Sequence, residues 1–321
     1  MLDVFNLVIP FFGLIFLGFL VAKLANQPVE ALGWMNVFII YVALPALFYK
    51  LISETPVEQL TSWRFVLTTT SSTFLVFMLM FAIALRRTRG EISESTIQGL
   101  AAAYGNIGYM GPGLALLALG PAATVPVALI FCFENTLHFV VTPTLMAMSG
   151  KDSRPKLELA LEIVKKVALH PFIIATFFGV VGAVFEVRPP EPIARLISYL
   201  SNAAAPCALF AMGVSMALRP LRRVPMELGF ILPIKLLVQP ALVYVLLSWM
   251  GDFPAAWIYA AVLMAGLPTA TNVFVLAQQY QTWVERASAS VFATTLGSAI
   301  TVSVLLYAIT KGYLPPDLLP E

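Results

Sequence analysis

Ten apolar runs of about twenty residues each follow one another along the whole of this 321-residue chain. An α-helix rises 1.5 Å per residue, so about twenty residues cover the roughly 30 Å of hydrocarbon in a bilayer. Inside that hydrocarbon every backbone N–H and C=O must find a partner within the protein, which an apolar run of this length can do only as a helix. The spans fall near residues 5–24, 31–51, 63–85, 96–118, 122–147, 166–186, 193–217, 227–249, 255–278 and 286–310. Only 11% of residues are charged, against roughly 25% in an average soluble domain, and no stretch remains for a soluble domain. The first run begins close to Met1 without a basic leader or small-residue cleavage site, so it reads as a retained helix. Cys132 and Cys207 lie inside apolar runs and read as small buried hydrophobes, not as a disulfide or a metal site.

The joints are short and carry breakers or charges, as in Gln27-Pro28, Arg86-Arg87-Thr88-Arg89-Gly90, Arg188-Pro189-Pro190 and Gly251-Asp252. The longest, from about Gly150 to Lys166, is basic and amphipathic. Basic residues concentrate on cytoplasmic loops. With the N-terminus outside, the inner side holds 13 of them: Lys23, Arg86, Arg87, Arg89, Lys151, Arg154, Lys156, Lys165, Lys166, Arg219, Arg222, Arg223 and Arg286. The outer side holds five, Lys50, Arg64, Arg188, Arg195 and Lys311. The asymmetry predicts that both termini lie on the non-cytoplasmic side.

The two halves are related. A shift of 161 residues superposes Pro10 on Pro171, Pro28 on Pro189, Pro45 on Pro206 and Pro155 on Pro316. With nine prolines in the first half and 14 in the second, fewer than one such match is expected by chance, so four mark a repeat. The same shift pairs Phe11 with Phe172, Gly18 with Gly179, Gly90 with Gly251, Gly105 with Gly266 and Phe131 with Phe292. Five helices per copy is an odd number, so the copies face opposite ways. The predicted organisation is an all-α membrane protein with a first five-helix repeat over 1–148, a cytoplasmic linker over 149–165 and a second repeat over 166–321.

Spans four and nine are interrupted at equivalent places, by Gly105-Asn106-Ile107-Gly108-Tyr109-Met110-Gly111-Pro112 and by Gly266-Leu267-Pro268-Thr269-Ala270-Thr271-Asn272. Proline removes a backbone donor and glycine weakens a helix, so each span should break near the bilayer centre. The amides that open each second half-helix would then present positive dipole ends to the gap and favour an anion such as a carboxylate. The alternative is that these are ordinary kinks, a reading that suits a single break better than two in register with an asparagine in each. Asn106 and Asn272 are the first candidates for hydrogen bonds to substrate, followed by Tyr109, Thr269 and Thr271.

Ionisable residues at membrane depth are costly and point to function. Glu134 lies in span five with His138 one turn on, and Lys235 lies inside span eight. Each could take up and release a proton during transport. In the structural alternative, Glu134 and Lys235 pair with each other or with backbone carbonyls and fasten helices together. His138 would then be a structural hydrogen-bonding residue, and His170, beside Pro171, an interfacial one. The chain has no H-E-x-x-H zinc motif, no G-x-S-x-G elbow and no P-loop, which weighs against a metalloprotease, a serine hydrolase and a self-contained ATP-driven pump.

These residues carry a resemblance. Ala43-Leu44-Pro45-Ala46-Leu47-Phe48, the Gly105–Gly111 run, Ala208-Leu209-Phe210-Ala211-Met212-Gly213, Lys235-Leu236-Leu237-Val238-Gln239-Pro240, Leu267–Asn272 and Ala277-Gln278-Gln279-Tyr280 appear in the order found in the auxin efflux carrier family. Among its members the chain most resembles the bacterial ones, called AEC transporters or malonate or malate permeases. The resemblance implies a fold like that of bile-acid and sodium–proton carriers, with a scaffold from helices one, two, six and seven and a transport domain from helices three to five and eight to ten. It maps the family's substrate asparagine onto Asn106 and its crossover prolines onto Pro112 and Pro268. Two departures stand out: Pro112 directly follows Gly111, and helix three lacks the acidic residue of plant members. Glu134 or Lys235 is therefore the substitute for that residue in proton coupling. The implied function is a secondary transporter, not an enzyme, that moves a small mono- or dicarboxylate by alternating access, in the direction of export, in a bacterial inner membrane. Its expected partners are the carboxylate, the bilayer and, as an option, a second copy in a homodimer, with no cofactor, metal or nucleic acid. The competing class is an anion channel or a non-transporting membrane sensor of the same fold.

Overall fold

A computed structural model describes residues 2–25, 28, 31–150, 155–218, 224–251, 253–316 and 318. The orientation argument's Lys151, Arg154, Arg219, Arg222 and Arg223, and the joint residues Gln27 and Asp252, lie outside the described residues. Among those described, the chain is helical throughout, with one isolated antiparallel bridge, Gly105 to Thr269, in place of any strand. The helices are α1 (Leu2–Ala25), α2 (Leu32–Ser53), α3 (Trp63–Arg87), α4 (Ile92–Ala103), α5 (Gly111–Leu119), α6 (Thr124–Met148) and α7 (Lys156–Ala168). They continue as α8 (Pro171–Val184), α9 (Glu191–Leu218), α10 (Leu228–Met250), α11 (Ala255–Ala265), α12 (Thr271–Gln279) and α13 (Val284–Thr310). Among the described residues, six helical stretches are long and apolar enough to cross a membrane, namely α2, α3, the run Gly111–Met148, α9, α10 and α13.

Proline and glycine set the local departures from regular helix. In α2 and α10 a single π-turn, Ile39–Ala43 and Ile234–Val238, stands just before Pro45 and Pro240. A proline cannot donate to the carbonyl four residues back, and the wider turn accommodates that gap. Between α5 and α6 the chain turns through a 3₁₀ segment that opens at Gly120, whose φ of 70° favours glycine. The basic joint after α6 is itself helical as α7, whose Leu157, Leu161 and Val164 are exposed.

α1 packs along α9 and α8 along α2, while α9 also meets α2. The closest approach depends on two glycines: a Cβ at Gly18 would strike the Phe210 carbonyl, and one at Gly213 the Ile15 carbonyl. Stacked rings of Phe48 and Phe131, with Phe172 edge-on to Phe131, tie these helices to α6. A second apolar cluster, from Phe77 and Met80 of α3 through Leu100 of α4 to Ile231 of α10 and Val273 of α12, surrounds the broken helices.

Overpacking of this kind typically costs about 1–3 kcal/mol. Gly213→Val should therefore lower the melting temperature of the detergent-solubilised protein. Gly229→Ala, where no atom lies within 4 Å of the added Cβ, should leave it unchanged or raise it.

Candidate functional site

The two expected interruptions are present. α4 ends at Ala103 and α5 starts at Gly111, and α11 ends at Ala265 and α12 starts at Thr271. The two unwound segments pass each other as a one-rung antiparallel ladder: Asn106 N–H donates to Pro268 O at 2.7 Å and Ala270 N–H to Tyr104 O at 2.8 Å. Side chains take further backbone groups at the two breaks. Thr269 Oγ1 donates to Ala101 O at 2.6 Å, Gln239 Nε2 to Ala103 O at 2.9 Å, and Lys235 Nζ to Ala265 O at 2.7 Å. Thr294 Oγ1 accepts from Thr269 N–H at 3.1 Å.

Beside the crossing lies a cavity of about 760 Å³, bounded by α2, α6, α7, the start of α8, α12 and the first unwound segment. Its size is within the range of small-molecule sites. Asn106, Tyr109, Thr271 and Asn272 all line it, so the structure brings together four of the seven residues expected at the substrate site. Pro112, Pro268 and Thr269 do not line it. Pro112 sits in the first turn of α5, the Pro268 carbonyl is engaged by Asn106, and the Thr269 hydroxyl is committed to Ala101. The Asn106 carboxamide is 3% exposed; its Nδ2 donates to Met212 Sδ at 3.1 Å and its Oδ1 accepts from Tyr109 N–H at 3.4 Å. A thioether is a weak acceptor, so Nδ2 keeps donor capacity for a better one. Thr271 Oγ1 is buried and has no hydrogen-bond partner.

Tyr104, Asn135, Lys165 and His170 also line the cavity. Tyr104 Oη donates to Asn135 Oδ1 and accepts from Asn272 Nδ2 at 3.0 Å, which joins α6 to α12 across the site. Asn135 follows Glu134 directly in the sequence, and that adjacency was the one available signal for it. His170, expected at the interface, turns its ring against Phe172 and Phe139 and faces the cavity, with Nδ1 unpartnered.

The ionisable candidates lie behind this wall. Glu134 Oε1 accepts from Thr73 Oγ1 at 2.9 Å, and Lys235 Nζ donates to Gln239 Oε1 at 2.7 Å. Gln239 Nε2 lies 3.4 Å from Thr73 Oγ1, so Lys235 and Glu134 are linked through Gln239 and Thr73. Of the two structural pairings expected for Lys235, the one to a backbone carbonyl is present, at Ala265. His138, one turn from Glu134, stacks on Tyr104 with ring centroids 4.1 Å apart, and its Nε2 has no partner.

Broken helices that cross beside a cavity, in a chain made of membrane-length apolar helices, define a membrane transporter. The family of membrane transport proteins matches this chain over residues 3–146 and 134–306, and the chain belongs to that family, the auxin efflux carriers. A protein of Rhizobium meliloti named "Putative malonate transporter" is 58% identical over 320 residues, the whole of both chains. An "Uncharacterized transporter" of Methanothermobacter thermautotrophicus is 24% identical over 90% of this chain and 93% of its own. Auxin efflux carrier component 1 of Arabidopsis thaliana is 28% identical over 46% of this chain and 24% of its own length.

Tyr104→Phe deletes the hydroxyl that joins Asn135 to Asn272. Loss of a buried hydrogen-bonding group costs about 1–3 kcal/mol, and thermal denaturation in detergent should show the corresponding drop.

Proposed function

We propose that the protein is a secondary carrier for a small dicarboxylate of the malonate type. It would bind the anion in the cavity beside the crossing and expose it alternately to the two sides of the membrane. The observation that carries this reading is the convergence of Asn106, Tyr109, Thr271 and Asn272 on one cavity where α12 begins. Helix N-termini attract anions through their free amides and positive dipole ends. Asn106 Nδ2 would exchange its weak thioether acceptor for a carboxylate oxygen, and the unpartnered Thr271 hydroxyl supplies a second donor. The name of the Rhizobium meliloti relative supports a dicarboxylate over a larger acid.

The architecture we infer is two inverted five-helix repeats, 1–148 and 166–321, joined by a linker over 149–165. Packing supports the repeat. Gly18 beds on Phe210, and Gly179 lies against Ile52 and the Tyr49 carbonyl; the shift that carries Gly18 to Gly179 also carries Tyr49 to Phe210. In this reading α1, α2, α8 and α9 form the scaffold, and the remaining membrane helices with both crossing segments move against it. With both termini outside, as the basic-residue count favours, the cavity opens to the cytoplasm on the α7 side. Export then runs downhill, since each negative charge leaving an inside-negative cell gains about 2.3 kcal/mol per 100 mV. Glu134, held by Thr73 and one turn from His138, is the group we assign to proton exchange where transport is coupled.

In proteoliposomes, malonate should evoke a saturable charge movement that Asn106→Ala abolishes, and the response to an imposed pH gradient reads out proton coupling. An unchanged current in Asn106→Ala would overturn the site, and no current with any small carboxylate would overturn the function.

A further inference from the structure

Among the described residues, the least exposed ionisable side chain lies outside the cavity. Lys235 is 0% exposed, and the π-turn Ile234–Val238 places it on the same face as Gln239, one turn on. Its Nζ contacts two oxygens at 2.7 Å, the Ala265 carbonyl that ends α11 and Gln239 Oε1. It also lies so near the crossing that a Cβ on Gly105 would come within 3.3 Å of it. Gln239 in turn caps Ala103 O, the end of α4, so the pair spans the C-termini of both broken half-helices. Each such terminus carries a partial negative charge equivalent to roughly half an electron. Carriers built on broken helices use unwound carbonyls and half-helix C-terminal ends to coordinate a coupling sodium ion. Here an ammonium, three donors and no acceptor, is fixed on the same kind of oxygen set.

We propose that Lys235 is a resident cation that fills a sodium site at the crossing, so that the protein neither binds nor needs sodium there and truncation of the side chain uncovers the site. A lysine tethered by its own helix cannot be released with each cycle, as a coupling ion must be. The two oxygens left by Lys235→Ala, the Ala265 carbonyl and Gln239 Oε1, with the Glu134 carboxylate two hydrogen bonds from Gln239 through Thr73, would face a space open to a small monovalent cation. The inference rests on the carrier reading for its meaning in transport, but its test needs no substrate.

Thermal unfolding in detergent is measured in matched NaCl and choline chloride for wild type, Lys235→Ala and Lys235→Met. Wild type should melt at the same temperature in both salts. Lys235→Ala should melt lower in choline and regain at least about 3 °C in NaCl with a saturable dependence, as expected of a ligand that binds only the folded state. Lys235→Met, whose unbranched apolar chain occupies the space, should show no difference between the salts. Lys235→Ser takes the place of the alanine variant if that one cannot be purified. Equal melting of the truncated variant in both salts overturns the proposal, as does a sodium response in wild type. Failure of the carrier reading would appear instead as absent malonate current, with these melting responses intact.

Discussion

A helix that breaks in hydrocarbon leaves amides and carbonyls with no water to satisfy them, and each orphan group costs several kcal/mol. The architecture around the site answers that constraint. The two unwound segments satisfy each other through the Asn106–Pro268 and Ala270–Tyr104 hydrogen bonds, so neither break could stand without the other. Carbonyls left at the ends of α4 and α11 are taken by Thr269, Gln239 and Lys235. One side of the crossing opens on the cavity, where Thr271 and Asn272 begin α12. Carbonyl ends at the crossing are thus closed by side chains, and in the function proposed above the start of α12 is the end that receives the anion.

The structure also separates the two sets of candidate residues in depth. Asn106, Tyr109, Thr271 and Asn272 face the cavity, whereas Glu134, His138 and Lys235 form a layer behind it, reached through Tyr104 and Asn135. A charge held in this second layer can influence an anion electrostatically without touching it. Glu134 and Lys235 meet through two intervening side chains, Thr73 and Gln239, so a change at either end must pass through hydrogen bonds that also hold the broken helices.

Much of this was legible in the sequence because membrane helices are set by length and apolarity, and because glycine and proline act locally. The interruptions at Gly105–Pro112 and Gly266–Asn272 appear where those residues stand, and the apolar runs become helices with boundaries moved by a few residues. The fate of individual side chains was less legible. Thr269 and Thr271 are two residues apart in one unwound stretch, yet one hydroxyl is spent on Ala101 and the other is free. Only the path of the opposing helix decides which. Tyr104 gave no signal, and Gln239, although it stands one turn from Lys235 in a quoted motif, owes its cap on Ala103 to the path of a distant helix. His170 lines the cavity with its ring against Phe139 and Phe172, a placement that its position beside Pro171 does not reveal.

The central claim is that a small dicarboxylate occupies the cavity at the start of α12. It is tested most directly by placing a single cysteine there, Asn272→Cys in a background carrying Cys132→Ala and Cys207→Ala, and following its reaction with a membrane-impermeant maleimide in oriented vesicles. The account predicts labelling from the side that bears α7, slowed severalfold by malonate and not by an equal ionic strength of chloride. Labelling at one rate with and without malonate would contradict it.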